Sequence, residues 1–393
     1  MEKNKKNKIP NVPNLRFETS CEWKKYKLKE LSKIFDGTHQ TPDYKDHGIS
    51  FVSVEDIDDL YSTSKFITKE AFTRDFKIYP QKNDILMTRI GDIGTPALVT
   101  KEQPLAYYVS LALIKPMNNL NSTFAKYMIE SKSFQHELWK KTIHVAFPKK
   151  INKEEIGECL CFAPNIDSQR KIGQFLSLID ERIGTQNKII GEMDSLRKTI
   201  IKQLIKHTYA KGNVVPIGKC ISEYSDKTMH DAEYPVLSST AGGIFFQNDY
   251  FKKEASSEDT TGYKKIPYGY CTYRSMSDTG RFYFNMQNIT DIGIVSPAYP
   301  VFRVKEDSSL FLITLVNNDD KVINAILKQK AGGTRFSLPF KKLCQIQIPW
   351  PDKNERDFFT GLVYCLDRKI KIEKDILSKY LQQKNYLLSN LFI

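Results

Sequence analysis

The feature that most constrains this chain is a stretch that occurs twice, Ser168 to His207 and again Lys353 to Phe392. Each copy is long, amphipathic and almost free of helix breakers. In the first, Ile179, Ile183, Ile190, Met193, Ile200 and Leu204 recur at spacings of three, four and seven, the period of a coiled-coil seam. In the second, Leu366, Ile370, Leu377, Tyr380, Leu387 and Leu391 each follow their counterpart by 187 residues. The polar interruptions repeat too, Gln186 with Glu373 and Arg197 with Lys384. One unit has been used twice.

A parallel, in-register pair would set Arg197 against Lys384 within an apolar stripe, like charge on like. The seam therefore predicts helices running antiparallel, pairing positions whose numbers sum to 570. Ile183 then meets Leu387, Ile190 meets Tyr380, Met193 meets Leu377 and Ile200 meets Ile370, while Arg197 faces Glu373 and Gln186 faces Lys384. At the α-helical rise the seam from Ile179 to Leu204 makes a rod of roughly 38 Å. The expectation is a quasi-twofold rod with a globular body at each end.

The 393 residues, 40% of them hydrophobic, suffice for two or three domains with cores of their own. A formal charge of +13, with 20 Tyr and 23 Phe available to stack, points to a polyanionic partner, nucleic acid foremost. Seven cysteines, an odd number without CxxC spacing, read as reduced buried thiols of a cytoplasmic protein. Cys159 and Cys161 alternate as on a strand, which fits packing better than a metal site. The Lys-rich run Met1 to Lys8 lacks the apolar centre of a signal peptide, and no apolar run approaches membrane length.

In chain order, Trp23 to Phe35 opens the first body as a short strand or helix, and Asp36 to Gly48 is a loop of turn formers. Strands are expected at Ser50 to Val54, Pro80 to Thr88, Ala97 to Val99, Ser110 to Ile114 and Cys159 to Phe162, with a Gly-bearing loop from Arg89 to Pro96. Phe124 to Trp139 reads as a helix and His144 to Lys150 as a basic turn. The order repeats from about Val214 to Pro351: Arg89 answers to Arg274, Gly94 to Gly280, Ser110 and Ala112 to Ser296 and Ala298, Phe147 to Phe336, and Pro164 to Pro351. The bounds that follow are 1–14 for a disordered basic tail, 15–165 and 209–352 for the bodies, and 166–208 and 353–393 for the helices. The fold class is mixed α/β.

The order body, helix, body, helix, with Pro164-x-x-x-x-Gln-Arg-Lys-Ile172 and Phe175-Leu-x-x-Ile-Asp-x-x-Ile183, resembles the specificity (S) subunit of Type I restriction-modification systems. Val236-Leu-Ser-Ser, Gly242-Gly-Ile244, Tyr270 to Arg274 and Ser296-Pro-x-Tyr299 are similar to one target-recognition branch of that family. At the second helix start Glu355-Arg356 replaces Gln-Arg, with one residue inserted before Asp367. The resemblance implies two target-recognition domains separated by an antiparallel coiled coil, each reading half of a bipartite double-stranded DNA target. It also implies docking of two methyltransferase (M) subunits on the helices and two restriction/translocase (R) subunits in the full complex. S-adenosylmethionine, ATP and magnesium would then sit on the partners, with no cofactor or metal on this chain.

Motifs for catalysis are missing from the sequence. There is no Asn or Asp followed by Pro-Pro and an aromatic, no phosphate-cradling GxxxxGK[ST] loop, and no HExxH or paired Cys/His spacing. Pro42-Asp43 with Asp75-x-Lys77 meets only the loosest nuclease pattern, which chance supplies in a chain with 46 acids and 59 bases. What remains are polar loops suited to base edges and phosphates. In the first body these are Thr38, His39, Gln40 and Thr41; Arg89 and Asp92; and His144, Lys149 and Lys150. The second body offers Ser238, Ser239 and Thr240; Arg274, Ser277, Asp278 and Arg281; and Gly332, Gly333, Thr334 and Arg335. Apolar residues beside the seam, Ile172, Leu176, Ile189, Leu196, Ile201, Ile205, Phe358, Leu362, Ile376, Leu388 and Phe392, either pack on the bodies or receive a partner helix. Two other readings stay open: a stand-alone DNA-modifying enzyme and a scaffold that binds only proteins.

Overall fold

The structure is a computed structural model and describes residues 13–15, 22–250, 259–329 and 336–393. The chain divides into two compact units, Met1–Lys188 with Asp375–Ile393, and Ile189–Lys374. Among the described residues no helix is long and apolar enough to cross a membrane.

In the first unit the central sheet runs in the order Ser32–Asp36, Leu111–Pro116, Ile85–Ile90, Asp92–Leu98, all antiparallel. Side chains alternate faces along a strand, and both faces here are apolar, so the runs Ile85-Leu-Met87 and Leu111-Ala-Leu-Ile114 are continuously hydrophobic. Ile85, Met87, Ala112 and Ile114 join one core with the helices Ser122–Glu130 and Lys132–Lys141. Leu86, Leu111 and Leu113 join a second core under the small sheet of Phe66–Ile67, Ile49–Val52 and Leu105–Tyr107. A two-stranded ribbon, Lys24–Lys27 with Leu160–Ala163, leads into the first long helix, Ile166–Lys211.

The second unit repeats this plan. Its sheet order is Ile221–Tyr224, Val301–Val304, Cys271–Tyr273, Phe284–Met286, again antiparallel throughout. Helices Ser309–Asn318 and Asp320–Lys328 pack on it, and the ribbon Asn213–Pro216 with Gln347–Trp350 leads into the second long helix, Lys353–Asn390.

Hydrogen bonds fix which residues correspond. Arg89 O accepts from Ile151 N–H at 3.0 Å and Ser275 O from Leu338 N–H at 2.9 Å, so the counterpart of Arg89 is Ser275 and not Arg274. A slip of one residue turns a strand side chain to the opposite face. Accordingly Arg89 is buried and Arg274 exposed. At the helix starts, Gln169 Nε2 donates to Pro164 O at 2.9 Å and its Oε1 accepts from Asn121 N–H, the residue heading the Ser122–Glu130 helix. Arg356 does the same job: Nη1 donates to Pro351 O at 2.6 Å and Nε to Ser308 Oγ, at the head of Ser309–Asn318. Gln169 and Arg356 are thus equivalent, and the expected inserted residue is not there.

Three local expectations change. Arg89 to Pro96 is the tip of a hairpin between Ile85–Ile90 and Asp92–Leu98, turning at Gly91, whose φ is +82°. Phe124 to Trp139 is two helices, broken at Ser131, whose extended backbone and Oγ, accepting from Phe134 N–H, start the second. Cys365 is exposed on its helix, against the reading of all cysteines as buried.

All sixteen seam residues from Ile179 to Leu391 are buried or half-buried, as the heptad pattern requires. Within the second unit Asp194 meets Lys374, Arg197 meets Asp367 and His207 meets Glu355, so one helix rises in number as the other falls and the pair is antiparallel. The expected register sets Gln186 opposite Lys384 and Glu373 opposite Arg197; Lys384 pairs with Asp180 and Arg197 with Asp367, acids six residues away that flank the seam. Of the flanking residues, Ile172, Leu176, Ile201, Ile205, Leu388 and Phe392 are buried in their own units, while Ile189, Leu196 and Phe358 stay exposed.

Candidate nucleic-acid interface

In the first unit the three candidate loops leave one end of the central sheet and are tied together by backbone bonds. Thr38 N–H donates to Tyr107 O at 3.2 Å, Val109 N–H to Thr38 O at 2.9 Å, and Arg89 N–H to Ser110 O at 2.9 Å. Gly91 N–H then donates to Lys149 O at 2.8 Å, joining the hairpin to the basic turn. His39, Gln40 and Thr41 are exposed, and Thr38, Gln40 and Thr41 share a cleft with Lys45, Arg74 and Asp75. Arg74 grips Asp75 through both carboxylate oxygens at 2.8 Å, and Lys45 pairs with Asp43, which occupies both carboxylates of the loose nuclease pattern. Among the described residues no three His, Cys, Asp or Glu side chains gather as a metal site.

Arg89 points inward. It is 6% exposed, its Nε donates to Ile151 O at 3.0 Å, and its guanidinium forms an ion pair with Asp36. It braces the loops from below. Asp92 is exposed and accepts from Thr95 Oγ1 at 2.6 Å. His144, Lys149 and Lys150 are exposed, with His144 Nε2 2.9 Å from Trp139 O.

In the second unit the candidates converge on Arg274, just past the strand Cys271–Tyr273. One cleft is lined by Ser239, Thr240, Arg274, Ser277, Asp278 and Arg281, and an adjoining one by Ser238, Ser239, Thr240, Gln247, Arg274 and Tyr299. Ser238 and Ser239 are mostly buried, and Ser239 Oγ accepts from Asn285 Nδ2 at 2.8 Å. Arg281 donates to Asn317 O and lies 5.7 Å from the Tyr283 ring. Arg274 is exposed and makes no ion pair or hydrogen bond among the described residues, so its fork of donors faces the two clefts unspent. Burial pushes the Tyr299 hydroxyl above its ordinary pKa while the Arg274 charge pulls it back. Gly332, Gly333, Thr334 and Arg335 lie outside the described residues.

Sequence reasoning missed Asn285 and Gln247, which carry no local motif, and the exposed Trp139, Val145 and Phe147, which in a sequence look like core.

Residues 21–194 match the family model for the Type I restriction modification DNA specificity domain. Over that stretch the chain is similar to a Type I specificity domain. The matched stretch holds every first-unit candidate from Thr38 to Lys150 and the first long helix as far as residue 194. The crystal structure of a Type I restriction-modification system S subunit from M. genitalium shares the fold, with 14% identity, a TM-score of 0.61 and coverage of 97% of this chain and 99% of that one. A structure described as showing complex assembly and conformational transition of the type I R-M system has 12% identity, a TM-score of 0.54, and coverage of 93% and 96%. The resemblance read from the sequence and the family of the specificity domain agree.

Proposed function

We propose that this chain is the DNA-reading subunit of a Type I restriction-modification complex, each body, 15–165 and 209–352, reading one half of a split duplex site. The reading is carried by one observation: the same four-strand order occurs in both units, each with a different set of polar loops at the corresponding end. A shared frame with divergent loops suits two different half-sites. In the second unit the unspent guanidinium of Arg274 suits a guanine edge, and in the first the cleft of Thr38, Gln40 and Thr41 offers hydrogen-bonding groups to bases. The helix pair would set the gap between half-sites.

Leu178, Leu196, Phe358, Ile372 and Tyr386 are exposed on the long helices, apolar surface that suits docking of the methyltransferase subunits. Methyl transfer and cleavage would belong to two methyltransferase and two translocase subunits in the cytoplasm, with S-adenosylmethionine, ATP and magnesium bound there. The test is to map methylated motifs in the host with and without this gene. The chain purified with its methyltransferase is then shifted on duplexes carrying the motif or a scrambled one, across a salt series. Preference for the mapped motif is expected; equal binding to both at every salt concentration refutes the reading.

A further inference from the structure

The segment His144–Lys150 is a closed, braced loop. Ile143 N–H donates to Lys150 O at 2.8 Å, Gly91 N–H to Lys149 O at 2.8 Å, and Ile151 N–H to Arg89 O at 3.0 Å, so one side is sewn to the hairpin. On the other side His144 packs its ring on Trp139 at 5.0 Å, and Trp139 stacks on His136 at 6.0 Å. What this frame presents to solvent is apolar. Val145 and Phe147, at 96% and 104% relative exposure, are the most exposed large hydrophobic side chains among the described residues. Beside them Lys149 and Lys150 are exposed with no ion pair among the described residues, whereas Lys140 is taken up by Glu137 and Lys141 by Glu155.

We infer that this loop is a wedge: Phe147 enters the base stack at one step of the first half-site while Lys149 and Lys150 hold the flanking phosphates. The inference rests on the DNA-reading function proposed above. An apolar protein groove would have to desolvate two unpaired lysines to receive Phe147, whereas a duplex offers π-faces and phosphates a few ångströms apart. Apolar side chains on basic elements unstack base steps in this way, and a wedge needs a rigid base, which the paired loop ends supply. Neither Phe147 nor Val145 packs in a core, so removing either leaves the fold intact.

The test uses the chain in complex with its methyltransferase and duplexes carrying 2-aminopurine, whose fluorescence rises on unstacking, at successive positions of the half-site. Wild type is expected to brighten severalfold at one step other than the methylated base. Phe147→Ala abolishes that signal and weakens binding about tenfold, while Phe147→Trp retains it and any signal from the methylated base is unchanged. Identical profiles for wild type and Phe147→Ala, with motif-specific binding intact, overturn the wedge alone. Loss of methyltransferase co-purification in Phe147→Ala with an unaltered fluorescence profile makes the loop a protein contact and also overturns it. Absence of motif-specific binding by wild type brings down the DNA-reading function itself.

Discussion

Asp180 holds Lys384 at 2.8 Å, and Asp367, 187 residues after that acid, holds Arg197, 187 residues before that base. Acid and base have exchanged helices, so the two are one contact made once in each unit. Each sits beside an apolar seam that would accept a heptad slip, and each supplies the electrostatic reason not to take it. Exchanging the charges as Arg197→Asp with Asp367→Arg is expected to recover most of the roughly 1 kcal/mol that Arg197→Asp alone costs at this part-exposed site, measured by urea unfolding.

Asp180 is the more enclosed of the two acids. Lys126 Nζ and Lys384 Nζ each lie 2.8 Å from it and the Tyr127 hydroxyl donates to it at 2.8 Å. Burial alone would raise its carboxyl pKa, but Lys126 and Lys384 outweigh burial and hold it below the ordinary 3.8. A depressed carboxyl stabilises the fold fully above its unfolded pKa and ceases to do so as pH falls through the folded value. Melting temperature should therefore fall more steeply for wild type than for Asp180→Asn between about pH 5 and pH 3, with Asp180→Asn already less stable at neutral pH by about 2 kcal/mol.

Gly94 sits in the hairpin beside the candidate loops with φ +97°, and a Cβ there would lie 2.8 Å from the Gln135 amide and from Leu138 Cδ1. Gly94→Ala is expected to cost about 2 kcal/mol and to weaken binding at the first half-site. Gly184, in the first long helix with open space around its Cβ position, serves as the control: Gly184→Ala should stabilise by up to about 1 kcal/mol. Thermal unfolding of the two variants checks both signs.

Thiol chemistry divides the cysteines. Burial pushes Cys159, Cys161 and Cys271 up to about 12 and Cys220 to about 11, whereas Cys365 is exposed. Labelling native protein with an aromatic disulfide reagent should lose one fast equivalent in Cys365→Ser, and the four buried thiols should react only on unfolding.

The helical seam was legible because a heptad period imposes itself on every turn, and no seam residue proved exposed. Which charges pair across it was not, since Asp180 and Asp367 stand outside the apolar pattern. The repeat of the bodies was legible in outline but slipped at Arg89, matched to Arg274 by residue type when hydrogen bonding pairs it with Ser275. Gln169 and Arg356 show the converse: unlike side chains hold the same joint at Pro164 and Pro351. Which loop residues face outward depends on strand phase, and an arginine in a sequence does not show whether it will brace a hairpin, as Arg89 does, or stand exposed, as Arg274 does.

The central claim is that each unit reads its own half of the target. The most direct measurement is the methylation motif written in cells by Arg274→Ala set against that of wild type. Relaxed discrimination at one or more positions of a single half is expected, by about 1–3 kcal/mol per lost bidentate contact, with the other half and the gap unchanged. A motif unaltered in both halves, or one relaxed in both together, would contradict it.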